Sequence, residues 1–186
     1  MNPEHILPEG FSLTYGIRQT QLATFRDSLG HPVRIWPKVL LPSTTVIVVE
    51  DLYAFPWNVL VHQRADNQHW GFPGGAQEVG ESIQDCAIRE CEEESGYLVH
   101  LYRLTSVDSD PMHGAIVQYQ DGPAQYTNLT FVATVLSGTL RVSRESLAVR
   151  WASIHDLPAP FLDAHLWRLH QALMHVHESK GHTSFR

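Results

Sequence analysis

Residues 75 to 97 read Gly75-Ala-Gln-Glu-Val-Gly-Glu81-Ser-Ile-Gln-Asp-Cys-Ala-Ile-Arg89-Glu90-Cys-Glu-Glu93-Glu94-Ser-Gly96-Tyr97. Ser82 with Asp85 three residues later is a capping box, and Gly96 supplies the left-handed position that closes a helix, so the spacing predicts a helix beginning at Ser82 and ending at Gly96. At about 100° per residue, Glu90, Glu93 and Glu94 fall within about a third of its circumference, with Glu90 one turn below the other two. Carboxylates packed that closely repel one another, whereas a hard divalent cation with oxygen preference turns the repulsion into coordination. Glu92 faces roughly the opposite way, toward solvent. Arg89 sits one turn from Glu93, where an ion pair could orient that carboxylate. Gly74 and Gly75 let the loop backbone pass close to a metal or to phosphates.

The arrangement is similar to the Nudix box, the pattern G-x5-E-x7-R-E-U-x-E-E-x-G-U in which U is a bulky aliphatic residue. Gly75, Glu81, Arg89, Glu90, Glu93, Glu94 and Gly96 fill its fixed positions, while Cys91 and Tyr97 stand at the two U positions. The preceding Trp70-Gly-Phe-Pro-Gly74 resembles the usual lead-in to that box. A solvated acidic helix face is the plain alternative for such a run of glutamates, but it gives the glycines and Glu81 no reason to fall in register. The resemblance implies an α/β fold, a Nudix-type α/β/α sandwich with a mixed β-sheet, over about residues 43–178. It also implies hydrolysis of a nucleoside diphosphate linked to another moiety, by water attacking phosphorus with Mg2+ or Mn2+ assistance. Glu90, Glu93 and Glu94 would be the metal ligands. Glu93 or Glu94 could also serve as the base, with Glu81 and Arg89 supporting the same site. A nucleoside triphosphate pyrophosphohydrolase is the rival enzyme. A binding module that does not catalyse is the rival class, and members of that kind usually have damaged boxes.

The whole chain sets outer bounds. Its 186 residues fit one domain with extensions, and 43% hydrophobic with 18% charged content suits a globular protein. Thirteen basic residues against twenty acidic ones give a net charge of −7, which disfavours a nucleic-acid-binding face. No apolar run reaches the length of a membrane span and no basic-then-apolar leader opens the chain, so a cytoplasmic location without membrane partners is expected. Cys86 and Cys91 lie five apart on the expected helix and point to different sides of it, so they cannot bridge to each other there. Among twelve histidines, His165, His170, His175, His177 and His182 invite a metal reading. Spacing of five turns successive side chains by about 140°, so they read as surface residues.

Residues 1–42 read as an N-terminal extension, with a helix from about Thr14 to Ser28 ended by Gly30 and then a proline-punctuated stretch. It would pack on the domain or on a second subunit, which leaves a homodimer open. Strands are expected at Thr44 to Glu50, Trp57 to Arg64, Leu98 to Val107, Ala115 to Tyr119, Ala124 to Leu136 and Leu147 to Trp151. Phe161 to His177 carries a helical apolar period, and 179–186 is left as a tail. Outside the box, Arg64 could contact phosphate, and Gly75 could approach it. Trp70 and Phe72 could stack on a base or fill the core, and Glu145 could reach the site from a neighbouring loop. Pro111 lies 14 residues beyond Tyr97 in a polar loop, a placement similar to that of ADP-ribose pyrophosphatases, as is the extension. A small nucleotide, ADP-ribose or a related nucleotide sugar, is therefore the first candidate substrate.

Overall fold

The computed structural model describes residues 26–27, 29–33, 37, 39–110, 115–119 and 122–178. One mixed seven-stranded sheet organises them: β1 (Val39–Val49), β2 (Asn58–Arg64), β3 (Trp70–Gly71), β4 (Tyr97–Asp108), β5 (Ile116–Tyr119), β6 (Gly122–Gly138) and β7 (Ser146–Ser153). Helix α1 (Ile83–Ser95) lies between β3 and β4 in sequence, and α2 (Asp163–Glu178) follows β7. The strand path is β3-β2-β1-β6-β4, with β5 on β6 and β7 on β2. β1 and β6 run parallel from Val39↔Ala124 to Val49↔Thr134, and the other named strand pairs are antiparallel.

β1 shows why both faces need cover. Its run Val46-Ile47-Val48-Val49 is fully buried, and alternation sends neighbouring side chains to opposite faces. Val46 and Val48 join Leu60, Phe131, Ala87 and Cys91 beneath α1. Ile47 and Val49 join Val59, Val132, Leu169 and Ala172 beneath α2. The expected sandwich is the one observed. Cys86 and Cys91 are both buried free thiols, and burial pushes the Cys91 thiol up to about 12.

The boundaries depart from expectation in two places. β1 starts at Val39, inside the expected extension, because its first five residues pair in register with Ala124 to Asn128. Pro42 interrupts any readable strand pattern there, since it carries no N–H for a ladder. Arg26 forms an antiparallel bridge with Pro32 rather than closing a helix, and Asp27 holds the intervening turn through its carboxylate, which accepts from the amides of Leu29 and His31. The rest of the Thr14–Ser28 segment, Pro111 and the tail lie outside the described residues.

Candidate active site

The frame of the site is α1, and its phase is fixed at both ends. Ser82 Oγ accepts the amide of Asp85 at 3.1 Å while the Asp85 carboxylate accepts from Ser82, which closes the capping box. Gly96 sits at φ 80 and donates to Glu92 O, and a Cβ there would lie 2.4 Å from Thr139 O. Between these caps the buried stripe is Cys86, Ala87, Cys91, Glu94 and Ser95. A carboxylate thus sits on the inner stripe of the helix.

Glu94 is 4% exposed, and its Oε2 accepts the Gly74 amide at 2.9 Å. Burial pushes its pKa up to about 8 against the pull of that amide, with Glu90 raising it further. His62 Nε2 lies 3.6 Å from the same oxygen, while His62 Nδ1 shares a 2.9 Å hydrogen bond with Ser146 Oγ. Burial lowers the His62 pKa to about 4, so the ring is neutral there and spans from Ser146 to Glu94. Gly74 permits this approach: at φ +149 it passes so close to β1 that a Cβ would lie 2.2 Å from Thr44 O.

The remaining box residues gather on Arg89. Its guanidinium donates to Glu81 at 2.7 and 3.0 Å, to Glu90 at 2.9 Å, to Glu93 at 3.0 Å and to Ala76 O at 3.2 Å. Arg89 holds the Glu81 carboxyl down at about 2, helped by the Glu78 amide. Arg89 therefore orients three carboxylates, where only Glu93 was expected. Glu92 is exposed, as expected.

The three expected ligands do not stand together as the helix phase alone suggests. Glu90 and Glu94 line one cavity of about 490 Å³, with Gly74, Gly75, Arg64 and Glu145, whereas Glu93 is 60% exposed and turned onto Arg89. The reason is that consecutive residues diverge by about 100°, so Glu94 follows the buried stripe and Glu93 leaves it. Among the described residues no ready cluster of three His, Cys, Asp or Glu side chains is formed. The donor chemistry nevertheless fits a hard cation. Burial raises the pKa values of both Glu90 and Glu94, and the Glu145 charge raises both further, a strain that a divalent ion would relieve. Gly75 leaves room for it, since a Cβ there would fall 2.4 to 2.7 Å from the Glu90 carboxylate.

A pH dependence follows from Glu94. Its carboxyl is pushed up to about 8 in the folded chain against an ordinary 4.5, so the folded state binds the extra proton between those values. The metal-free chain should lose stability as pH rises through that window, because charging the buried carboxylate costs the fold. A divalent cation held by Glu94 would need the ionised form, so any stabilisation it adds should grow over the same window. Melting curves with and without magnesium across that range read both slopes, and Glu94→Gln should flatten them.

Other expected residues fall as follows. Arg64 lines the cavity, with its guanidinium bonded twice to Asp66 at 3.0 and 2.7 Å. Trp70 and Phe72 are core residues and do not present a ring for base stacking. Phe72 is fully buried against His165 and Phe161, and Trp70 packs in the same cluster with the Arg150 guanidinium over its ring. The short pairing of β3 with β2 turns that lead-in toward α2. Glu145 does reach the cavity. His165 is a correction to the surface reading: its Nδ1 accepts the Phe72 amide at 2.9 Å, and burial lowers its pKa well below the ordinary value. His170 and His175 are exposed, while nothing is described of the His177 side chain or of His182. Sequence reasoning missed His62, which meets Glu94, and Asn128, Tyr126 and Arg168, which line the cavity; they are single polar residues without a motif, brought in only by strand pairing and the docking of α2.

Comparison with known proteins comes to the same place. The NUDIX domain family model matches residues 40–173. A "MutT-like protein" of Streptomyces ambofaciens is 30% identical over 69% of this chain and 73% of its own. An "ADP-ribose pyrophosphatase" of Methanocaldococcus jannaschii is 25% identical over 54% of this chain and 57% of its own length. The crystal structure of an ADP-ribose pyrophosphatase from Streptococcus suis superposes with a TM-score of 0.56 at 21% identity, covering 78% of this chain and 96% of that one.

Proposed function

Because this chain belongs to the NUDIX family and is a pyrophosphohydrolase of that family, we propose that it hydrolyses the diphosphate of a nucleotide sugar, ADP-ribose first among them, with Mg2+ or Mn2+. The observation that carries the reading is the joint presence of Glu90 and Glu94 on one cavity, where burial and neighbouring carboxylates raise both pKa values despite Arg89 and Arg64 beside them. The ADP-ribose pyrophosphatase relative supports the substrate, although the match spans little more than half of that protein.

Glu90 and Glu94, joined by Glu93 once it leaves Arg89, would hold the ion through oxygen alone. A divalent cation at these oxygens supplies the charge that offsets a diphosphate and lowers the pKa of a water molecule. Arg89 fixes the direction of Glu90 and Glu93 and anchors Glu81 behind them. Glu94 is the better base of the two candidates. The Gly74 amide and His62 hold one of its oxygens in place, which leaves the other to take a proton from the attacking water once a cation has favoured the ionised form.

Activity should vanish with chelator and return with magnesium or manganese, while zinc should serve poorly because the donors offered are all oxygen. A nucleotide panel with product identification tests the substrate: ADP-ribose should give AMP and ribose 5-phosphate. Preferred cleavage of nucleoside triphosphates to monophosphate and diphosphate would replace the substrate and leave the site standing. Binding without turnover on the whole panel would overturn the enzyme reading.

A further inference from the structure

The same cavity holds a second charged feature that the carboxylate site does not use. In β1, Ser43 and Thr45 share a face with Ile47 and Val49, the face that α2 covers, and they stand opposite Asn128 and Thr130 of β6. From Ile47 onward that face is apolar, packed by Leu169 and Ala172 of α2. At its upstream end the cover changes character. Ser43, Thr45, Asn128 and Thr130 are all buried, and the residue of α2 set against them is Arg168, on the stripe that also carries Ala164, Leu169 and Ala172.

Arg168 is 6% exposed and lines the cavity. Its Nη1 donates to Thr45 Oγ1 at 3.2 Å, and its Nε, also buried, makes no hydrogen bond among the described residues. None of the ion pairs among the described residues includes it. Burial lowers its pKa to about 10, with Asp108 opposing in part, so the guanidinium is charged at neutral pH. Asn128 next to it gives one amide hydrogen to Ser43 Oγ and accepts from Thr130 Oγ1, which leaves a second amide hydrogen to offer. A buried guanidinium with an unpartnered Nε–H costs the fold, whereas arginine's planar array of donors matches the oxygens of a phosphate.

We infer that this end of the cavity is a phosphate subsite, in which Arg168 and Asn128 grip a phosphate of the substrate independently of the metal carried by Glu90 and Glu94. The inference rests on the nucleotide reading for the identity of the anion, but not on catalysis. The phosphate has two sources, the nucleotide half of the cleaved diphosphate or the sugar half, and the two hydrolysis products carry one each.

Calorimetric titration of the full chain in excess chelator separates them. AMP and ribose 5-phosphate are compared with adenosine and ribose, on the wild type, Arg168→Lys and Arg168→Gln. At least one phosphate compound should bind the wild type about tenfold or more tightly than its neutral counterpart, the scale of a charge-assisted pair of hydrogen bonds. Whichever compound shows the gain names the half of the substrate held there. Arg168→Gln should abolish that gain and Arg168→Lys should keep only part of it. The melting point of Arg168→Gln without ligand is read beside the binding, since the change also removes the guanidinium that faces Asp108 and bonds Thr45. Unchanged phosphate binding in both variants overturns the subsite, as does a lowered melting point with phosphate binding intact, which marks Arg168 as structural. If Arg168→Gln fails to fold, equal phosphate affinity in Arg168→Lys and wild type overturns it. With chelator present no turnover enters the measurement, so loss of the hydrolase reading leaves this result unaffected.

Discussion

Glu94→Gln is expected to lower kcat by about a thousandfold, the scale of a lost general base, while the chain stays folded. The substitution keeps the shape of the side chain and the oxygen that accepts the Gly74 amide, but it removes the charge that both a metal and a proton from water require. A carboxylate 4% exposed with its pKa pushed up to about 8 is poised at a cost to the fold, so the amide should not destabilise the metal-free chain at or above that pH. Glu92→Gln is the control two residues away. That side chain is exposed, and its change should leave kcat within error of wild type. Turnover of Glu94→Gln close to wild type at saturating magnesium would remove Glu94 from the mechanism. Equal behaviour of the two variants would put the phase of α1 in error.

Arg89→Ala should cost about ten- to a hundredfold in activity or in the magnesium concentration needed for half-maximal rate, the usual effect of removing a residue that orients metal ligands. The guanidinium bonds Glu81, Glu90 and Glu93 at once, so its loss leaves three carboxylates to repel one another around the loop at Ala76. Arg89→Lys should recover only a fraction, because an ammonium cannot make the two parallel bonds to Glu81. A magnesium titration of the rate checks both. If Arg89→Lys matched wild type, the fork geometry would have no part in positioning the ligands.

The helix carrying the site was legible because its signals are local. A capping box at Ser82 and a left-handed glycine at Gly96 fix both ends without reference to the sheet. Helix phase then put Glu92 outside, as observed, but it could not separate Glu93 from Glu94. That division depends on which side of α1 the sheet takes, and Cys91 and Ala87 decide it by packing against Val46 and Val48. The start of β1 was hidden for a related reason: Val39 to Ser43 join the sheet through pairing with β6, while Pro42 breaks their pattern. Trp70 and Phe72 carry the same aromatic character whether they stack on a base or fill a core, and only the placement of α2 and His165 tells these apart. Arg168 had no signal at all. On a helix read as apolar by its leucines, an arginine is normally solvent-facing, and its inward placement appears only when Ser43, Thr45 and Asn128 are set beneath it.

The central claim is that the α1 carboxylates direct water onto phosphorus of a nucleotide diphosphate. The most direct test is hydrolysis of ADP-ribose by the purified chain with magnesium in oxygen-18 water, with the products resolved by mass. The account predicts AMP and ribose 5-phosphate with a single solvent oxygen, located on the phosphate of one product and absent from the other, and no reaction in chelator. Label on a sugar carbon, or release of free ADP, would place the attack away from the diphosphate and contradict it.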